Sequence, residues 1–315
     1  MKLTGDGAAN SVTLTEISEN SYQITGIDDT VIRFNGQDGA SVAIDNVIKG
    51  VSLDMAGGDD SLLLTGISVT GNLSAQMGEG NNTVTLTDVS TTGDLTLGGL
   101  KGNDTITATD STINVSGLIS ISLGDGSNVV DLSLFASSSG KGLNYAGGTG
   151  SDDVTIDAPE VSFGGKVDFK VGMGGGAVTG GSAGDTVSLV EVRILGGSKL
   201  DLGAGADTVR IDDSTFNGAV TILTGAGEDE VNIETNEGAA GFSRFFGAVS
   251  FDLGADDDLF SIAPVESAAL LAHFFSTVTV NGGAGTGDEF ESGDAAKLVY
   301  SPTLTGFEVS SSNQS

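Results

Sequence analysis

The sequence contains no cysteine and no tryptophan, and only three prolines and one histidine among its 315 residues. The lack of cysteine excludes a disulfide framework and any thiol chemistry. Basic residues are also scarce, because 12 of them stand against 43 acidic residues and leave a formal net charge of −31. This charge argues against binding to nucleic acids or anionic membranes, and it favours cations or basic surfaces as partners.

Long apolar runs are absent as well. No stretch of 18 apolar residues occurs, so the sequence predicts no transmembrane segment and no membrane insertion. The first ten residues, MKLTGDGAAN, lack the apolar region of a cleavable signal peptide. A hydrophobic content of 38% is nevertheless too high for a disordered acidic chain, and we expect a folded protein.

Glycine is abundant, with 50 residues, and it recurs in a turn motif G-x-D/N-x-Φ-x-Φ, in which Φ is apolar. Clear copies are LGAGADTVRI (202–211), LTGAGEDEVNI (223–233) and GGTGSDDVTI (147–156). Asn10 starts the series, and GQDGASVAI (36–44) is interpreted as a degenerate member. We call the polar turn residues the Asx column, which after Asn10 consists of Asp60, Asn82, Asp104, Asn128, Asp152, Asp185, Asp207, Asp229, Asp258 and Asp288.

The spacing along the Asx column defines a repeat. From Asp60 onwards the intervals are 22, 22, 24, 24, 33, 22, 22, 29 and 30 residues, a base period of 22 with insertions only. Each period contains two runs in which apolar and polar residues alternate, such as Val209/Ile211 after the turn and Leu200/Leu202 before it. A weaker third run is typified by Val192/Ile194. Alternation with period two predicts strands with one buried face.

Short strands joined by glycine turns at a fixed period predict an all-β fold, a right-handed parallel β-helix of about 12 coils. Residues 1–49 are expected to form an N-terminal capping region and the first coils, with a hairpin over 12–26. Residues 50–290 form the repeats, and residues 291–315 form a C-terminal cap and a linker-like tail. In the run 208–212, Val209 and Ile211 should point inward, while Thr208, Arg210 and Asp212 should face solvent.

The glycine-aspartate turns resemble the GGxGxDxUx motif of the repeat-in-toxin family, and in pattern the resemblance covers most of residues 50–290. It implies a secreted or cell-surface bacterial protein in which turn carbonyls and aspartates of successive coils bind Ca²⁺. The family repeat has nine residues with two turns per coil, whereas one turn recurs every 22 residues here. One row of ions is therefore expected instead of two.

The implied calcium ligands are the acidic members of the second half of the Asx column, namely Asp152, Asp185, Asp207, Asp229, Asp258 and Asp288. The first half, with Asp60, Asn82, Asp104 and Asn128, supplies the weaker candidate ligands, because it alternates acid and amide and so separates the charges. Two carboxylates about 5 Å apart repel by roughly 3 kcal/mol at an effective dielectric constant near 20, so the second half requires cations. The alternative is a metal-free ladder in which Asp and Asn side chains bond neighbouring backbone N–H groups.

Two late insertions share a Phe-Phe pair. Phe245/Phe246 and Phe274/Phe275 lie at matching distances before Val249 and Val278, so the two loops should stack. Two interpretations remain: a small apolar core under the loops, or a surface patch for a partner or a second copy. The candidate interface residues are Phe242, Phe245, Phe246, Phe274 and Phe275. The single histidine, His273, has no nucleophile context and predicts no catalysis.

The expected function is structural and non-catalytic: a calcium-stabilised building block of an extracellular surface layer, fibre or adhesin. We expect a homo-oligomer or filament that forms through the termini or the Phe-rich loops, with cell-surface polysaccharide as a second candidate partner. The alternatives are a carbohydrate-acting β-helix enzyme (a lyase or hydrolase) and a carbohydrate-binding module. An enzyme of this kind would cluster carboxylates with basic residues on one face, whereas the basic residues here are scattered singly.

Overall fold

The computed structural model describes residues 1–34, 37–47, 49–134, 138–157, 162–163, 166–170, 183–235, 242–263, 272–292, 303–307 and 309–312. Every regular element in this part of the chain is a β-strand, so the protein is all-β as predicted. Of the predicted C-terminal cap, residues 293–302, 308 and 313–315 lie outside the described residues.

One parallel sheet, sheet A, contains 12 strands. In spatial order they are β1 (Lys2–Thr4), β7 (Gly50–Asp54), β9 (Asn72–Gln76), β11 (Leu95–Gly98), β14 (Ile119–Gly124), β17 (Gly142–Gly147), β20 (Lys166–Lys170), β23 (Ser198–Ala204), β26 (Val220–Ala226), β29 (Val249–Ala255), β32 (Val278–Asn281) and β34 (Thr303–Thr305).

The strands that follow the members of the Asx column, together with one more strand at the C-terminal end, pair in parallel as a second row, row B. They are β2 (Ser11–Ser18), β8 (Ser61–Val69), β10 (Thr83–Thr91), β12 (Thr105–Ser111), β15 (Val129–Leu134), β18 (Asp153–Asp157), β21 (Thr186–Val190), β24 (Thr208–Asp212), β27 (Glu230–Ile233), β30 (Leu259–Ile262), β33 (Glu289–Ser292) and β35 (Val309–Ser312).

A third parallel row, row C, continues from the end of β10. Its strands are β13 (Ile113–Val115), β16 (Ser138–Ser139), β19 (Ser162–Phe163), β22 (Arg193–Ile194), β25 (Thr215–Phe216), β28 (Ser243–Phe245) and β31 (Ala272–Phe274). The weaker third run of the sequence pattern is therefore confirmed as strands over these residues.

The pairing register reproduces the period read from the turns. Thr83 lies opposite Ser61 on one side and Thr105 on the other, 22 residues away in each direction. The longest interval, 33 residues from Asp152 to Asp185, also leaves the register unchanged, because Asp153 pairs directly with Thr186. Extra residues are thus accommodated between strands and do not shift the register.

The inward positions build one apolar core along all rows. The inward pairs Val209/Ile211, Leu200/Leu202 and Val192/Ile194 are all buried, which confirms the predicted alternation. Thr208 and Arg210 are partly exposed, as expected. Asp212, however, is only 2% exposed, so the prediction that it faces solvent is wrong. The alternation breaks because the chain turns at Asp213, which has a left-handed φ of 51°.

The N-terminal region departs from the repeat. β2 and β3 (Ser21–Ile27) form the predicted antiparallel hairpin, and β6 (Ser41–Ile44) pairs antiparallel with β3. A short ribbon joins β4 (Ile32–Phe34) to β5 (Gln37–Gly39). The segment 36–44 is therefore not a degenerate parallel repeat, and the series passes directly from Asn10 to Asp60.

Candidate functional site

The Asx column lies inside the protein, at the turns that lead into the strands of row B from β2 to β33. From Asp60 to Asp288 every member of the column is buried, with at most 2% of its surface exposed. The structure therefore brings all ten residues that the sequence proposed as metal ligands into one line.

The side chains of the column form a ladder with the backbone. Oδ1 of each member accepts a hydrogen bond from the backbone N–H of the preceding member. The N···O distance is 2.7 Å from Asn10 to Asp60, 2.8 Å from Asp185 to Asp207, and 2.9 Å from Asp258 to Asp288. The remaining steps are equivalent, at 2.7–3.1 Å. These are the bonds expected of the metal-free alternative, and a ligand bound to the column would have to coexist with them.

Asparagine members add further bonds that aspartate cannot make when it is charged. The Asn82 amide donates to Oδ1 of Asp104 at 2.8 Å and to the carbonyl of Gly80 at 3.0 Å. Asn128 repeats the pattern with Asp152 at 2.9 Å and Gly126 at 3.3 Å. Asn128 also donates to the carbonyl of Gly124 at 3.1 Å. Each amide thus donates both to the next member of the column and to carbonyls of its own turn.

Aspartate members place an oxygen where asparagine places its NH₂ group, because Oδ1 is committed to the same backbone bond. Oδ2 is buried and has no hydrogen-bond partner among the described residues at Asp60, Asp104, Asp185, Asp207 and Asp258. A buried carboxylate oxygen without a donor costs free energy unless a proton or a cation is supplied. In the second half, acidic members follow one another without an intervening amide.

Burial shifts the titration of these groups. It raises the pKa of Asp185 and Asp258 to about 7 and that of Asp207 to about 6, and the neighbouring carboxylates push in the same direction. The hydrogen bond from the preceding backbone N–H partly opposes the shift. Burial also raises the pKa of Asp60, Asp104, Asp152 and Asp229. The column therefore binds protons well above the pH at which exposed aspartates do.

The glycine turns are required by close packing between repeats. Gly227 has φ +129°, and a Cβ atom added there would lie 1.9 Å from the carbonyl oxygen of Gly205. Gly205 lies one repeat earlier and meets the carbonyl oxygen of Ala183 in the same way, at 2.2 Å. Only glycine allows turns with this φ to stack at such a distance.

A second buried acidic group escaped the sequence prediction. Asp212 pairs with Arg210 and also accepts a hydrogen bond of 3.1 Å from the backbone N–H of Thr235. Glu234, only 2% exposed, accepts a bond of 2.7 Å from the backbone N–H of Asp213. Burial raises the pKa of Glu234 to about 7. Left-handed φ values at Asp213 and Glu234 turn the side chains of Asp212 and Glu234 inward. The alternation of apolar and polar residues does not predict this.

The Phe-rich loops stack as predicted, but they divide into two groups. Phe245 and Phe274 are buried and stack with ring centroids 4.8 Å apart, so they belong to the core and offer no surface to a partner. Phe246 and Phe275 stack at 4.7 Å outside it and are 46% and 43% exposed. Phe242 is partly exposed and lies under the guanidinium of Arg244. Of the five candidate interface residues, three therefore reach the surface.

No protein-family model matches the chain, and neither a curated protein sequence nor a solved structure matches it significantly. Among the described residues, no group of three or more His, Asp or Glu side chains converges as a metal centre would. Nor do these residues include a helix that is long and apolar enough to cross a bilayer.

Proposed function

We propose that the protein is a non-catalytic structural rod, a right-handed parallel β-helix of about 12 coils and base period 22. In this proposal sheet A and rows B and C are the walls of the helix, and one strand from each wall belongs to one coil. The proposed role is that of a building block in an extracellular surface layer, fibre or adhesin.

The Asx column is the observation that carries this proposal. Its side-chain bonds join each repeat to the next without a break from Asn10 to Asp288, parallel to the backbone bonds of the strands. An arrangement in which every repeat is bonded to both neighbours resists extension and local opening along its whole length. An unbroken series of bonds between repeats suits a mechanical role. The pairing between strands places no constraint on the outward side chains.

Calcium is the proposed stabiliser of the second half of the column. The unpartnered Oδ2 atoms of Asp185, Asp207 and Asp258 are hard oxygen donors, which suit Ca²⁺, and a bound ion would supply positive charge between successive carboxylates. Each aspartate has only Oδ2 left to offer, so most of the six to eight oxygens that Ca²⁺ prefers would come from backbone carbonyls or water.

The test compares the wild type with a variant in which Asp185→Asn and Asp229→Asn extend the alternation of the first half as far as Asp258. Thermal melting and hydrogen exchange are measured at pH 7.5 with calcium, with magnesium and with a chelator. The proposal expects the chelator to lower the melting temperature of the wild type and to increase exchange in residues 183–263, with calcium alone reversing both. The double variant should respond little. Identical melting and exchange of the wild type in all three conditions would overturn the role of calcium.

The structural role is tested separately by electron microscopy of the protein at increasing concentration with calcium present. Layers or filaments support a building block. Dispersed single particles at every concentration contradict it, whatever the chelator experiment shows.

A further inference from the structure

A strip of basic and apolar side chains crosses the outer surface of row C. Pairing between strands β22, β25, β28 and β31 aligns two outward columns, one on the strands and one formed by the residues that directly follow them, two positions further along the chain. We call this surface the basic-aromatic strip. Its first column is Arg193, Thr215, Arg244 and His273, and its second is Leu195, Asn217, Phe246 and Phe275.

The apolar members of the strip are unusually exposed. Leu195 is 41% exposed, and Phe246 and Phe275 are 46% and 43% exposed. The two phenyl rings stack with an interplanar angle of 8°, so they form one continuous apolar ridge. Because Phe245 and Phe274 already fill the core beneath them, the ridge contributes nothing to that core. Removing it from water therefore favours a contact with another surface.

Among the described residues, the basic members of the strip have no ionic partner. The chain has four arginines, and Arg33 and Arg210 are paired with Asp38 and Asp212. Within the described residues, no carboxylate lies within 4.0 Å of Arg193 or Arg244. In a protein with a net charge of −31, two guanidinium groups on one face, separated only by Thr215 and without a carboxylate partner among the described residues, favour an anionic partner.

The same chain carries a surface of the complementary chemistry. Between β3 and β4, the turn 27–31 exposes Ile27 by 43% and Val31 by 61%, with exposed Asp28 and Asp29 between them. The turn has a defined conformation, because the Thr30 N–H donates to the Ile27 carbonyl at 3.0 Å. We call it the acidic-apolar turn. It offers two carboxylates and two apolar side chains, which match the charges and the apolar ridge of the strip.

The two surfaces cannot meet within one molecule. The turn adjoins the β2–β3 hairpin at one end of row B, whereas the strip lies beside β24 and β27. Seven strand spacings separate β2 from β24, which amounts to about 34 Å at roughly 4.8 Å per spacing.

We propose that the basic-aromatic strip of one molecule binds the acidic-apolar turn of a second copy of this chain. A contact between two different patches is heterologous, so each molecule keeps one patch free and the assembly grows as a chain. The overall repulsion between two acidic molecules does not prevent this, because physiological salt screens it beyond about 8 Å while the paired charges are in contact. The inference rests on the proposed role as a building block and names the contact through which assembly occurs.

The contact is small. The strip is four strands wide, about 14 Å, and only two columns deep. Its area is therefore far below the roughly 800 Å² that each partner buries in a stable protein interface. Single contacts are therefore weak, and because each added molecule makes one such contact, assembly depends on protein concentration.

A charge-swap experiment tests the contact by sedimentation velocity over a range of concentrations with calcium present. Variant one carries Arg193→Glu and Arg244→Glu, and variant two carries Asp28→Lys and Asp29→Lys. Each variant alone should lose assembly, because its strip and its turn now carry like charges. Their equimolar mixture should regain it, because each strip again meets a turn of opposite charge. The matched control, Lys101→Glu with Lys141→Glu, makes the same change of charge elsewhere and should assemble like the wild type.

A third variant, Phe246→Ser with Phe275→Ser, removes the apolar ridge without changing charge and should also lose assembly. It keeps the test decisive if a charge variant fails to fold, which circular dichroism would reveal. If the wild type assembles and all three variants assemble equally, this contact is wrong while the building-block role stands. If the wild type stays monomeric at every concentration, both the contact and that role are wrong.

Discussion

The side-chain amide of Asn82 donates a hydrogen bond of 2.8 Å to Oδ1 of Asp104, the next member of the Asx column. The backbone N–H bond is present both at this step, at 3.0 Å, and at the equivalent step from Asp185 to Asp207, at 2.8 Å, but Oδ2 of Asp185 has no partner among the described residues. The two steps differ by one NH₂ group in place of one oxygen. That difference controls how the stability of each half depends on protons and cations.

Stability should fall as the pH rises from 5 to 8 in the absence of divalent cations. The folded-state pKa values of Asp185, Asp207 and Asp258 are raised to about 6–7, so the folded protein holds more protons than the unfolded chain in this range. Their contribution is complete at low pH and is lost as the pH passes through the raised values. Chemical denaturation at several pH values measures the effect. In a variant with Asp185→Asn and Asp258→Asn, the free energy of unfolding should depend less steeply on pH. Equal slopes for the wild type and the variant would contradict the attribution of the pH dependence to these carboxyl groups.

Asn128→Asp should destabilise the first half of the column. It removes the donors to Asp152 and Gly126 and places a third carboxylate between Asp104 and Asp152. We expect a loss of about 3 kcal/mol at pH 8 and a smaller loss at pH 5, where the new group can be protonated. Ser127→Asp adds the same charge at the exposed neighbouring position and should cost little. Equal losses in the two variants would show that charge alone, and not the ladder, is responsible.

Ile211→Asp should unfold the surrounding repeats, because Ile211 is fully buried and its replacement would be a buried charge without a partner. Ser188→Asp lies on an outward position opposite Arg210 and should change the free energy of unfolding by about 0.5 kcal/mol or less. Far-UV circular dichroism and thermal melting distinguish the two. Comparable tolerance would mean that the register is displaced by one residue.

Arg210→Ala should cost about 1.5–3 kcal/mol, because it leaves the nearly buried carboxylate of Asp212 without its charged partner. The double variant with Asp212→Asn should recover part of that loss, since the remaining amide is neutral. Urea denaturation of both variants measures the recovery. A double variant less stable than Arg210→Ala would show that the pair is not the relevant interaction.

Gly227→Ala should destabilise by about 1–3 kcal/mol, because an L-residue is strained at φ +129° and its Cβ would clash with the Gly205 carbonyl. Gly7→Ala is the control, since a Cβ there meets no atom within 4 Å. Thermal melting of the two variants should differ by several degrees. Equal melting temperatures would mean that the turns can separate at no cost.

The strands were predictable because two signals agree: a polar residue marks each turn, and apolar residues alternate after it. The pairing of Asp153 with Thr186 shows why this survives insertions, since each register is set by its own turn. The inward position of Asp212 and Glu234 was not predictable, because a single left-handed residue reverses the facing of its neighbours. Segment 36–44 was misread because its glycine and alternation fit a parallel repeat and an antiparallel strand equally well.

The candidate site was predictable as a set of residues but not as an environment. Aspartates at glycine turns are usually exposed, so the sequence could not tell that Asp207 or Asp258 is buried. For Phe245 and Phe246 the reason is similar: adjacent aromatic residues on a strand point to opposite sides, and only the pairing with β31 shows which one is outside. Arg193 and Arg244, which are 51 residues apart in the sequence, come into one column, with Thr215 between them, only through the strand order.

The direct step of the ladder from Asn10 to Asp60 spans 50 residues, against 22 for the shortest steps, yet its hydrogen bond is as short as the others. A flexible insertion that lengthened a step from 22 to 50 residues would cost only about 0.7 kcal/mol in loop-closure entropy. Long insertions between successive members of the Asx column should therefore lower the stability of the protein only slightly. A foreign peptide or a whole folded domain could be inserted at such a step while the column members on either side keep their hydrogen bonds.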